Sequence, residues 1–193
     1  MNNNIKCRNK QRKEINIMFH RLSFDEANDH QSQTYQSLVK MASDYNILAS
    51  MLGFIGKVLY YLPMRLKSKL FIDDLKKKLE LEGYIIYDVD GNKTIGMINI
   101  FKLENNEYNE YSEYNIGIML LQEYQNQGLA SHILSWLIDK HKDKTLVIRT
   151  LVNNQRMIRV AEKLNFVPYS IIDAKVIFYT ERFKVYKNHY NLL

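Results

Sequence analysis

One cysteine, two prolines and seven glycines in 193 residues remove several readings at once. The lone Cys7 closes no internal disulfide, so no disulfide framework holds the chain, and a reducing compartment suits it. So little proline and glycine rules out long flexible linkers and low-complexity tracts. His132 and His141 have no partner at metal-ligand spacing, so no metal site is expected. No P-loop and no nucleophile elbow is present. No secretory leader is visible at the start, which with the single thiol points to the cytoplasm. The longest apolar stretch, 45–64, is interrupted by Asn46, Ser50 and Lys57 and broken by Pro63, so no membrane span is expected.

What is present is an ordinary globular composition. Hydrophobic residues make up 46% of the chain, enough for a core of one domain. The net charge of +6 admits an acidic or phosphorylated partner. Part of it lies in residues 1–14, with Lys6, Arg8, Lys10, Arg12 and Lys13. No aromatic residue interleaves those charges, which argues against a nucleic-acid stacking platform. The reading is a basic flexible tail over 1–14 and a folded domain over 15–193.

Along the chain, 15–22 alternates as a strand. Ser23 or Asp25 caps a helix that runs to about Val39. The apolar 45–64 segment has three open uses: a helix on the core, a covering lid or wall, or a homodimer contact. Residues 68–81 read as a surface helix with Leu70, Phe71, Leu75 and Leu79 on its inner face. Asp90-Gly91-Asn92 between strands at 84–88 and 94–103 signals a hairpin. Residues 104–112 form a polar loop. Near the end, 169–179 and 183–190 read as strands joined at Thr180, Glu181 and Arg182.

The most informative stretch is 114–131. An apolar strand over 114–121 feeds a polar turn over 122–127. Gly128 then opens a helix whose Leu129, Ala130, Ile133, Leu134, Leu137 and Ile138 share one face. Trp136 lies off that face and is expected to pack against a neighbouring segment. The first N–H groups of a helix lack internal acceptors, and the macrodipole makes that end positive. A strand that delivers the chain to such an end builds an anion site. A short strand at 145–152 and a helix from Asn154 to Glu162-Lys163-Leu164-Asn165-Phe166 follow.

Gln125-x-x-Gly128-x-Ala130 between strand and helix resembles the acyl-CoA pyrophosphate loop of the GNAT superfamily of N-acetyltransferases. The later asparagine, helix and E-K-L-N-F ending resembles that family's next signature. The resemblance implies a mixed α+β domain with a central, mostly antiparallel sheet and helices on both faces. It implies acetyl-CoA as cosubstrate and an amine, on a protein or a small molecule, as acceptor. Gln125, Asn126, Gln127, Gly128, Leu129, Ala130 and Ser131 would hold the pyrophosphate. The main chain of Ile118, Met119, Leu120 and Leu121 would run beside pantetheine and supply an oxyanion donor. Asn154 would bond pantetheine or its water, beside a plain N-cap role, and Arg156 and Arg159 would either meet phosphate or stay solvated.

Three positions depart from the family pattern. Ala161 stands where many members carry a tyrosine acid. Met157 stands where the ribosomal-protein branch often has serine, and Asn115 where that branch tends to have glutamate. Glu113, on the face of Asn115 by period two, is then the candidate base acting through water. Tyr111 and Tyr114 are weaker candidates, and Glu123 reads as a solvated turn residue. The E-K-L-N-F ending and the missing tyrosine lean toward protein N-terminal amines, and the H-R-L-S-F-D-E-A segment resembles the opening of the ribosomal-protein branch. A polyamine or aminoglycoside acceptor, a CoA-binding module without turnover, and a basic RNA-binding protein are the alternatives.

Overall fold

The computed structural model describes residues 3–11, 13–44, 61–78, 82–102, 113–176 and 179–188. Eight strands form one sheet: β1 (Asn4–Arg8), β2 (Glu14–Arg21), β3 (Glu82–Asp88), β4 (Lys93–Lys102), β5 (Glu113–Leu120), β6 (Thr145–Leu151), β7 (Phe166–Val176) and β8 (Tyr179–Asn188). Their order is β1-β2-β3-β4-β5-β6-β8-β7. The registers β1–β2, β2–β3, β6–β8 and β7–β8 are antiparallel, whereas β5–β6 is parallel. Among the described residues the α-helices are α1 (Phe24–Asn28), α2 (Gln33–Ala42), α3 (Met64–Lys78), α4 (Leu129–Lys140) and α5 (Gln155–Lys163). The mixed α+β class with a mostly antiparallel sheet is as the sequence led one to expect. The chain divides into two units, Met1–Asn99 with Ile118–Leu129, and Ile100–Gly117 with Ala130–Leu193.

In the first unit α1, α2 and α3 pack on the sheet through Ala27, Leu38, Met41, Phe71, Leu75, Ile85, Tyr87 and Met97. Ser37 crosses this core as a polar link, within 3.2 Å of the Tyr87 hydroxyl and 2.8 Å of the Thr94 hydroxyl. Both hydroxyls thus stay hydrogen-bonded where burial would otherwise penalise them. In the second unit Val147 and Val185 form a smaller cluster with Phe101 against it. The apolar face of α4 is buried as the spacing predicts: Leu129, Ile133, Leu134, Leu137 and Ile138 are all inside. Trp136 is buried as well, with the Lys140 ammonium 5.7 Å from its ring centroid.

Four expectations are corrected. The supposed tail contains β1, paired with β2 from Asn4↔Met18 to Arg8↔Glu14, and Cys7 is buried rather than in a polar arm. The helix expected from 23 to 39 is two helices. Asp29 Oδ1 accepts from the Gln31 N–H at 3.0 Å, and Ser32 Oγ caps α2 by accepting from the Tyr35 N–H at 2.9 Å. Short polar side chains at these positions bond the backbone locally and end the first helix. The inner face of α3 is Phe71, Ile72 and Leu75, while Leu70 is exposed. The last hairpin turns earlier than expected: Thr180, Glu181 and Arg182 lie in β8, opposite Lys175, Ala174 and Asp173. The hairpin expected at 90–92 is present, with left-handed backbone at Asn92, φ 45°. The expectations for 45–60 and 104–112 lie outside the described residues.

Candidate active site

The turn between β5 and α4 is built from its own chain. A 3-10 turn over Gln122–Tyr124 is anchored by the residue just past the end of α2, where Asp44 Oδ2 accepts from the Gln122 N–H at 3.1 Å. Lys40 pairs with Glu123 at 3.1 Å, so Glu123 is exposed yet ion-paired. Two side chains then tie the loop to its own backbone. Gln125 Nε2 donates to the Leu120 carbonyl at 2.9 Å, and Gln127 Nε2 donates to the Glu123 carbonyl at 2.6 Å. Asn126 and Gly128 adopt left-handed φ of 60° and 82° on either side of Gln127. Glycine takes that conformation without steric cost, and asparagine tolerates it. Both glutamine side chains are thus spent within the loop. It ends at the first turn of α4, where the amides lack intrahelical acceptors. Ser131 in that turn is buried and within 3.5 Å of the Lys163 ammonium.

The strand before the loop carries two contrasting features. The β5–β6 ladder runs for three pairs only, Glu113↔Thr145, Tyr114↔Leu146 and Asn115↔Val147. Both strands continue beyond it, so 116–120 extends past the parallel ladder. Toward β4 the approach is close: a Cβ on Gly96 would fall 2.0 Å from the Met119 carbonyl oxygen.

Glu113 and Asn115 share a buried face, as their spacing predicts, but Glu113 is not an exposed charge. It is buried and ion-paired to Lys187 of β8, whose side chain is 10% exposed. The Lys187 ammonium also lies 3.2 Å from the ring centroid of Tyr169, so it is held between a carboxylate and an aromatic face. Asn115 differs: it is 8% exposed, and among the described residues its Oδ1 has no hydrogen-bond partner. A buried orphan acceptor costs free energy unless a ligand or water satisfies it. Tyr114 is half-buried, its ring centroid 5.2 Å from the Lys144 ammonium. Tyr111 lies outside the described residues.

Asn154 is the N-cap of α5, its Oδ1 accepting from the Met157 N–H at 3.2 Å. The cap role is therefore filled, and the exposed residue keeps its amide donor. Arg159 is exposed on α5, and Ala161 is fully buried, so the tyrosine position of the family is core here. Lys187 and Tyr169 escaped the sequence reading, because the pair Glu113–Lys187 joins residues far apart in the chain and no local pattern encodes it.

Three comparisons bear on this geometry. The family described as "Acetyltransferase (GNAT) domain" matches residues 28–167. Among curated proteins, none matches. Among solved structures, spermidine N-acetyltransferase from Vibrio cholerae in complex with CoA and spermine is 13% identical, with TM-score 0.60 over 88% of this chain and 94% of that one. A GNAT-family acetyltransferase from Bacillus anthracis is 14% identical, with TM-score 0.60 over 95% and 97%. An uncharacterized protein from Bacillus halodurans is 12% identical, with TM-score 0.63 over 94% and 89%. At such identities these structures speak to the fold alone.

A strand, a turn with left-handed backbone and a helix start, in a chain whose larger part matches this family, define the class. The chain belongs to the GNAT acetyltransferase family. It is an N-acetyltransferase, with acetyl-CoA as cosubstrate. No described helix is long and apolar enough to cross a membrane.

Proposed function

We propose that the chain acetylates a primary amine, with the acceptor leaning to the α-amine of a protein N-terminus in the cytoplasm. The observation that carries the reading is the loop at Asn126 and Gly128, with left-handed backbone leading into α4. The loop from Gln125 to Ser131 holds the pyrophosphate through amides from Asn126 onward, the Gln125 N–H being spent on the Gln122 carbonyl at 3.2 Å. The main chain of 118–121 lies along pantetheine, and one of its N–H groups donates to the acyl oxygen, where negative charge grows. Asn154 offers its amide donor to pantetheine, and Arg159 meets phosphate. Asn115 supplies an acceptor that is otherwise unsatisfied, and it holds a water or the amine beside β5. Acetyl-CoA, when bound, supplies the activated acyl carbon and a thiolate leaving group.

The acceptor lean rests on the base. Glu113 is the only carboxylate of β5, and it is committed to Lys187. In this reading it positions the strand and takes no proton from the amine. An α-amine has a pKa of about 7.7 to 8.0, so roughly a quarter of it is already free at pH 7.4, against roughly a thousandth of an alkyl amine of pKa about 10.4. A site with little base strength therefore favours the α-amine. The formal charge of +6 also works against a polycationic acceptor. The V. cholerae relative, solved with spermine, keeps a polyamine as the second reading.

The test is acetyl-CoA turnover with a panel: peptides with free and blocked N-termini, spermidine and an aminoglycoside. The expected result is CoA release that depends on a free peptide N-terminus. Faster turnover of spermidine would replace the peptide reading. Binding of acetyl-CoA without release on any amine would make this a CoA-binding module.

A further inference from the structure

The family match begins at residue 28, so the β1–β2 hairpin lies ahead of it. That hairpin is not idle. Its turn is closed by the Asn9 N–H donating to the Lys13 carbonyl at 3.0 Å and by Asn9 Oδ1 accepting from the Lys13 N–H at 2.9 Å. The closed tip sits on the turn before α4. The Lys10 N–H donates to the Gln127 carbonyl at 3.0 Å, and Asn9 Nδ2 donates to Gln127 Oε1 at 3.3 Å. The Lys10 stem runs past Gly128: its Cγ lies 3.8 Å from where a Cβ on that glycine would stand.

Gln127 thus spends its carbonyl and its side-chain oxygen on holding the hairpin. The Lys10 side chain is exposed, and among the described residues it has no ion-pair partner. A lysine lays its methylenes along a surface and keeps its ammonium in water beyond. Here that surface is the backbone of the left-handed glycine, beside the amides to which the proposed function gives a diphosphate, and the ammonium extends from that stem.

We propose that the tip of the N-terminal hairpin belongs to the cofactor site, and that Lys10 supplies a cation to the phosphates of acetyl-CoA. Two anchors hold it there, its own backbone N–H and the side chain of Asn9. The inference rests on the pyrophosphate placement given above. It adds a residue that the loop motif does not contain, on a segment 117 positions away from its contact at Gln127. A phosphate is a compact dianionic or monoanionic target, and a flexible ammonium pairs with it as a point charge.

The test is calorimetry of acetyl-CoA on the full chain and on Lys10→Met, which keeps the stem and removes the charge. The expected loss is about three- to ten-fold in affinity, the size of one partly exposed charge contact. The dependence of binding on salt should weaken with it, and Lys10→Arg should restore both. Asn9→Ala, which frees the tip, should weaken binding in the same direction and add little to Lys10→Met. Acetyl-pantetheine, which has no phosphates, should bind both proteins alike, and dephospho-acetyl-CoA tells which phosphate is met. A wild-type chain that binds acetyl-CoA while Lys10→Met binds it equally well would overturn this inference alone. A wild-type chain that does not bind acetyl-CoA would overturn the proposed function and this inference together.

Discussion

Glu113 shows how far a residue's neighbourhood decides its role. In sequence it is a strand charge two places from Asn115 and a reasonable base. In the fold it is buried beside Lys187, which in turn faces Tyr169. Burial removes the water that would otherwise solvate both charges, so each depends on the other. Glu113→Gln leaves the Lys187 ammonium without a counter-charge and should cost about 3 kcal/mol of stability, within the range for breaking a buried pair. Urea unfolding measures it. Glu113→Gln paired with Lys187→Met should recover most of the loss, since two neutral side chains need no solvation. A single variant as stable as wild type would show that the pair carries no such weight.

At the scale of elements, legibility followed locality. The run from β5 through α4, β6 and α5 was readable because each piece carries its own period, turn and cap within a dozen residues. The hairpin at 84–103 was readable from its Asp-Gly turn. β1 was not, because only Ile5 and Cys7 alternate against Lys6 and Arg8, and its partner β2 decides whether so short a pattern forms a strand. The α1–α2 break was missed for a different reason: Asp29 and Ser32 are as compatible with an exposed helix face as with two caps. β1 has a chemical consequence. Burial, and then the charge of Asp88, push the Cys7 thiol above its ordinary pKa, and the group is buried against the Ile15 carbonyl. At pH 8 the native protein should therefore react with iodoacetamide far more slowly than the same protein in urea, because the thiolate is the nucleophile. Equal rates in the two states would return the segment to a free tail.

At the scale of the whole molecule, the family and the sheet were legible, while the partnership between distant segments was not. The match over 28–167 covers the part that local pattern already described. What lies outside it, the β1–β2 hairpin at one end of the chain and β8 at the other, supplies Lys10 and Lys187, the two cations that change how the central motif is read. Neither could be assigned before the chain was folded, because each meets its partner far away in the sequence.

The central claim is that backbone at Gly128 receives the diphosphate of acetyl-CoA. Calorimetry of acetyl-CoA on wild type and on Gly128→Glu tests it most directly, with circular dichroism to confirm the fold. A side chain at φ 82° costs about 1–2 kcal/mol, which a domain of ordinary stability survives, while a carboxylate there repels phosphate. The account predicts tight binding by wild type and a loss of at least about 100-fold in the variant with an unchanged spectrum. An unchanged affinity in a folded Gly128→Glu would contradict it.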